Sequence, residues 1–290
     1  MNLTWLKRLL IALLAIRILA TFAFIWYIAD VDARPVQQSI CCATPANFGA
    51  EYEDVAFTAV DGITLSGWFI PSQNGATVIV LHGYGAHRAG STLQQVEILV
   101  RHGYGILTYD LRGHGESGGD TRSRGWQDPS DLEVALDYLQ NRGDVDMSRI
   151  GIFGFSVGAL IALATAPNNP TLRAIMADGP GFTNLADLTD ESGLQLFDDW
   201  VAMKALEWRT GVKPLPAIVD TIGQISPRFV FLVESGDESP ISENYFLYAN
   251  KPKELWIIPE ATHTTKFATR PEEYAAKMLG FFDKALLDNQ

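Results

Sequence analysis

The chain alternates between two kinds of segment, and this alternation limits the folds open to it more than any other feature. One kind is a short unbroken apolar run. Six of these occur: "ATVIVLHG" (76–83), "YGILTYD" (104–110), "RIGIFGFS" (149–156), "LRAIMADGP" (172–180), "RFVFLVESGD" (228–237) and "KELWIIPEATH" (253–263). Their length and composition suit strands buried on both faces. The other kind has helical spacing and punctuation. "STLQQVEILVRHG" (91–103) opens on serine and stops at glycine, and "DPSDLEVALDYLQNRG" (128–143) offers Asp128 as a cap with Pro129 and acids in its first turn. "VGALIALATA" (157–166) and "RPEEYAAKMLGFFDKALL" (270–287) complete the set. The alternation predicts an α/β fold: a mostly parallel central sheet with helices on both faces. "EDVAFTAV" and "ITLSGWFIP" flank Asp61-Gly62 and predict an antiparallel N-terminal hairpin leading into it.

One segment breaks the pattern. Residues 182–226 lie between two runs and far exceed the roughly 2–6 residues such a connection needs. Phe182, Leu194, Phe197, Trp200, Met203 and Trp208 suggest short amphipathic helices there. Ordinary packing on the scaffold and a small helical cap over a substrate pocket both fit this composition.

The N-terminus has another character. "LLIALLAIRILATFAFIWYIA" (9–29) is apolar all round, close to the ~20 residues that cross a bilayer. Lys7 and Arg8 precede it and Asp30 and Asp32 come after it, which predicts an N-terminus inside and the remainder outside. Arg17 costs about 2.5–3.5 kcal/mol on insertion scales, offset by snorkelling and its apolar neighbours. The expected organisation is a transmembrane anchor with short flanks over 1–34, a linker over 35–52 and a folded domain over 53–290. That domain would sit on the extracytoplasmic side of the membrane. The alternatives are a signal peptide cut after the small residues around Val31 and Ala33, giving a secreted protein, and a buried core helix.

The net charge of −12 arises after residue 34. Such a field repels nucleic acid and anionic membrane surfaces, so no nucleic-acid partner is expected and the helix must supply any membrane contact. The two cysteines, Cys41 and Cys42, are adjacent and cannot staple distant parts of a fold. A strained vicinal pair or two idle thiols are their expected states, and a metal site needs more ligands than this.

Chemistry concentrates at the ends of the runs. In "GFSVG" (154–158), Ser156 lies between a strand and a helix, where a sharp turn would lift its hydroxyl clear of the sheet. The helix N-terminus beneath it favours negative charge. A base is needed, and His263 comes after the final run, where a loop can carry it over Ser156. His82, His87, His102 and His114 lie in turns or come after early segments. A carboxylate must fix the imidazole tautomer. Asp237, in "SGDESP", ends the preceding run; Asp178, in "ADGP", is its competitor. In "LHGYGAHR" (81–88) the backbone N–H of Tyr84 could join that of Val157 to receive an oxyanion. A phosphate cradle is the other use of such glycines, but no Lys-Ser/Thr comes next.

Together, "HGYG", "YDLRGHGESGG", "GFSVG", "SGDESP" and "ATH" resemble the α/β-hydrolase superfamily. The nearest members are serine hydrolases related to monoacylglycerol lipases, serine aminopeptidases and prolyl-oligopeptidase catalytic domains. The resemblance covers about residues 53–287 and carries over Ser156 as nucleophile, Asp237 as acid and His263 as base. Tyr84 and Val157 become the oxyanion donors, and the chain order of the triad matches that architecture. Family precedent makes the Asp110–Gly119 turn structural, so neither Asp110 nor His114 counts as catalytic. The implied activity is cleavage of carboxylic esters, acyl or lipid-like, with no metal or organic cofactor. A peptidase of prolyl-oligopeptidase type is the alternative, with Glu191, Asp198 or Asp199 as candidates to hold a charged peptide end. A non-catalytic membrane binding module on the same fold is the third reading; such modules typically lose a triad member, and none is missing here.

Overall fold

The computed structural model describes residues 3–40, 42–188, 193–236 and 239–288. In chain order it contains α1 (Leu3–Ala33), β1 (Val36–Gln37), β2 (Glu53–Thr58), β3 (Thr64–Ile70) and β4 (Thr77–Leu81). Next come α2 (Leu93–Arg101), β5 (Gly105–Tyr109), β6 (His114–Gly115), α3 (Asp128–Gln140), β7 (Ile150–Phe155) and α4 (Val157–Thr165). The remainder is β8 (Leu172–Asp178), α5 (Gly193–Thr210), α6 (Ile218–Thr221), β9 (Phe229–Ser235), α7 (Ser239–Tyr248), β10 (Lys253–Ile258), α8 (Lys266–Thr269) and α9 (Pro271–Phe282).

Eight strands form one sheet in the order β10-β9-β8-β7-β4-β5-β3-β2. Neighbours from β10 to β5 run parallel. Strand β3 is antiparallel to both β5 and β2, and β2 and β3 turn back on each other through Asp61-Gly62. Each central strand feeds two cores by its period of two. In β4, Ile79 and Leu81 pack with Leu132, Leu136 and Leu163 of α3 and α4. Val78 and Val80 point the other way, into Tyr274, Met278 and Phe282 of α9.

The topology fixes where a site can form. From β4 the chain goes to β5 on one side, while β7 pairs with β4 on the other. Open α/β sheets bind ligands beyond the carboxyl ends of the strands at such a switch point. The loop after β4 and the turn after β7 both emerge there.

Residues Thr4–Ala33 form one helix long and apolar enough to cross a membrane. Its last turns are fastened to the folded domain. Ala33 is buried in a small cluster with Trp126 and Leu206, Arg209 pairs with Asp30 at 2.6 Å, and Arg124 pairs with Asp32. The Arg122 guanidinium donates to the carbonyl of Arg34, and β1 pairs in parallel with β6. Residues 35–52 thus carry backbone pairing to the domain as well as connecting it to α1. Of the cysteine pair, Cys41 lies outside the described residues and Cys42 is exposed.

Asp128 departs from its expected place as the cap of α3, a position that Gln127 takes. Asp128 is instead the first residue of α3, 3% exposed, beside buried Asp131. Burial and then the Asp131 charge push its carboxyl up to about 7. A carboxyl raised on folding binds its proton in the native state first, so its contribution to stability is full below the ordinary pKa near 3.8 and is lost as pH rises through about 7. Asp128→Asn is therefore expected to raise the melting temperature clearly more at pH 8 than at pH 5. Equal effects at both pH values in calorimetry would refute the assignment.

Candidate active site

Ser156 sits on the turn between β7 and α4 with φ 55° and ψ −116°. A non-glycine residue held there costs of order 1–3 kcal/mol, and such strain gathers at functional sites. The two flanking glycines are required by close packing. A Cβ on Gly154 would lie 2.2 Å from the carbonyl oxygen of Gly158, and one on Gly158 would lie 2.5 Å from that of Leu81. Any side chain at either position would push α4 off the sheet. The Ser156 amide donates to the carbonyl of Asp178 at 2.8 Å, which locks the turn to β8.

Ser156, Val157, Tyr84 and His263 line one cavity of about 1060 Å³. His263 lies in the loop between β10 and α8, its ring 5.2 Å from that of Phe155. Gly179 leaves room for it: an added Cβ would fall 3.0 Å from Nδ1. The loop after β4 abuts the serine, since a Cβ on Gly83 would lie 3.3 Å from that of Ser156. Tyr84 is held at this edge through its ring. Arg122 stacks on it at 4.2 Å, and its hydroxyl donates to the carbonyl of Asp32 in α1.

Two other histidines are structural. Leu111 N–H donates to His82 Nε2 at 3.0 Å, so Nδ1 must carry the proton and donate to the carbonyl of Gly83. Burial keeps this imidazole neutral, with its pKa down to about 4; the buried His114 is lowered to about 3 by burial and then by His82. Asp110 accepts from the amides of Arg88 and Glu116 and pairs with the Arg88 side chain, so it braces its own turn.

Asp237 lies outside the described residues, as does Glu191. Its competitor Asp178 is buried at the end of β8, where Lys266 Nζ approaches at 3.1 Å and the Tyr274 hydroxyl donates to it. Lys266 is itself 1% exposed and also faces Glu234 at 3.5 Å. Sequence reasoning misses this buried lysine. It begins α8, three residues beyond His263, and ties the histidine loop to β8 and β9. The only sequence signal is a lysine close after the last apolar run.

The other wall of the cavity is unannounced in the sequence on its α1 side, whereas α5 lies within the segment 182–226, for which a helical cap is one of two expectations. This wall is built from α1 and α5, with Thr21, Phe24, Ile25 and Ile28 facing Ala202 and Met203. Asp32, Asp198 and Asp199 line it as well.

The hydrolase family described as serine aminopeptidase, S33, matches residues 72–218. The chain belongs to this family. Among curated proteins it is 28% identical to YfhR of Escherichia coli O157:H7 over 251 residues, covering 81% of each. It is 29% identical to the alpha/beta hydrolase domain-containing protein WAV2 of Arabidopsis thaliana over 257 residues, covering 83% of this chain and 82% of that protein. Among solved structures, an esterase of Pyrococcus furiosus superposes with a TM-score of 0.70 at 25% identity, covering 88% of this chain and 98% of the esterase. The chain is a hydrolase of the α/β-hydrolase fold.

Proposed function

We propose that the protein is a membrane-anchored serine hydrolase that cleaves carboxylic esters of acyl or lipid-like type through an acyl-enzyme. The observation that carries this reading is Ser156 on a strained strand-to-helix turn, opening into the same cavity as His263. In the first half-reaction Ser156 Oγ attacks the ester carbonyl while His263 takes its proton. The amides of Tyr84 and Val157 receive the oxyanion, and Asp237 stabilises the imidazolium. The proton then passes to the leaving alcohol, the C–O bond breaks, and the acyl group remains on Ser156. Water attacks the acyl-enzyme by the same route and releases the acid.

The apolar side chains of α1 and α5 around the cavity favour an acyl chain over a charged peptide. One observation favours the peptidase reading instead: Asp32, Asp198 and Asp199 could face a substrate amine. A fluorophosphonate should label the full-length chain at Ser156. A panel of p-nitrophenyl esters set against aminoacyl p-nitroanilides then separates the readings. Hydrolysis of anilides with little ester turnover would overturn the esterase proposal. The membrane assignment places the α/β domain outside, in line with the Lys7/Arg8 bias, and protease added to intact cells should reach it.

A further inference from the structure

We infer that α1 is both the anchor and one wall of the acyl-binding cavity, so that the substrate is a bilayer-resident ester whose chain slides in between α1 and α5. This rests on the ester-hydrolase reading and on α1 spanning a membrane. The α1 residues in the cavity wall are Thr21, Phe24, Ile25, Ile28, Ala29 and Asp32. Their steps of three and one repeat over three turns, which is a single face of a helix. Helix α5 lies along α1 as the facing wall, with Trp26 and Trp208 rings 4.6 Å apart and Asp30 bonded to Arg209.

Helix geometry sets the depth. The apolar stretch 9–29 matches the ~20 residues needed for a hydrocarbon core of about 30 Å at about 1.5 Å per residue. Thr21 to Ala29 are roughly the last two-fifths of that stretch. Where α1 spans, this part of the cavity wall therefore lies at the level of one leaflet, and the seam along which α1 and α5 pack meets acyl chains.

The far side of α5 fits the same placement. Its cavity residues Gln195, Asp198, Asp199, Ala202, Met203 and Leu206 are spaced by steps of three and one. At 100° per residue, Phe197, Trp200, Lys204 and Trp208 fall on the opposite face. Phe197 and Trp200 are each 43% exposed with stacked rings, and Trp208 is 68% exposed. In water this is a costly apolar patch. Beside α1 it continues the lipid-facing surface of a spanning helix. Lys204, bonded to Glu207 at 2.7 Å, has the reach to meet headgroups.

Two measurements on the full-length chain in phosphatidylcholine and phosphatidylglycerol vesicles test the inference. The first compares tryptophan emission in plain and brominated-chain vesicles for wild type and Trp200→Phe. The emission removed by the substitution should belong to the fraction that brominated chains quench, so that fraction falls. If the fraction rises, Trp200 faces water and the inference fails. The second uses Ile25→Trp and Ile28→Trp, which fill the wall. The ratio of kcat/KM for p-nitrophenyl laurate to that for the acetate should drop at least tenfold against wild type. The ratio is internal to each variant, so a general loss of folded protein leaves it unmoved, and an unchanged ratio overturns the proposal. A wild type inert to every ester and to the phosphonate removes the hydrolase reading and the substrate half with it, while the quenching result still decides where α5 lies. A chain stripped from membranes by carbonate removes the spanning helix and the whole inference.

Discussion

Ser156→Ala is expected to abolish fluorophosphonate labelling and to lower ester turnover by on the order of 10⁶, leaving only the residual catalysis that binding and an oxyanion site provide. The folded domain should survive, because the Ser156 side chain is no part of the β7–α4 contact; Gly154 and Gly158 make that contact. Alanine keeps the left-handed strain at φ 55°, however, and so gains little stability. Ser156→Gly removes both the nucleophile and the strain. It should be as inactive as the alanine variant yet more stable, by about 1–2 kcal/mol in denaturant unfolding. The pair separates chemistry from conformation. Labelling that persists in Ser156→Ala, at any other serine, would sink the nucleophile assignment. A glycine variant no more stable than the alanine one would mean that the turn carries no strain.

The sheet is legible in the sequence because parallel strands buried on both faces leave unbroken apolar runs. Each of the six runs contains one of β4, β5, β7, β8, β9 and β10. Ser156 is legible for a similar reason: the glycines at 154 and 158 are demanded by backbone contacts of 2.2 and 2.5 Å, and a steric need of that kind writes itself into sequence. His263 could be expected at the cavity because its loop leaves the carboxyl end of β10, the same edge of the sheet from which the Ser156 turn leaves β7. The α1 wall is not legible. An all-round apolar helix carries no mark of which face meets protein, and Phe24 or Ile25 reads the same against lipid as against a cavity. Lys266 is hidden for the opposite reason. A buried lysine is tolerated only with its counter-charges, and Asp178 and Glu234 reach it from 88 and 32 residues earlier in the chain. No local pattern records a pairing of that range. The burial of Asp128 is of the same kind, since helix spacing marks the start of α3 but not the depth at which it begins.

The two candidate acids should fail in different ways, and this is the sharpest test of the triad. Asp237→Asn is expected to keep the melting temperature while cutting kcat by on the order of 10⁴, the loss seen when a triad histidine is left in the wrong tautomer. Asp178→Asn should do the reverse. It removes the nearer of two counter-charges from a lysine that is 1% exposed, and breaking a buried pair costs about 3–5 kcal/mol. Glu234 at 3.5 Å remains to hold part of the Lys266 charge, so the loss should fall toward the lower end of that range. Because Lys266 also ties down the His263 loop, Asp178→Asn will lose some turnover per folded molecule. That loss should stay within about tenfold. Matched kinetics in which Asp178→Asn is the more severely slowed enzyme, with its fold intact, would make Asp178 the partner of His263 and leave Asp237 a turn residue.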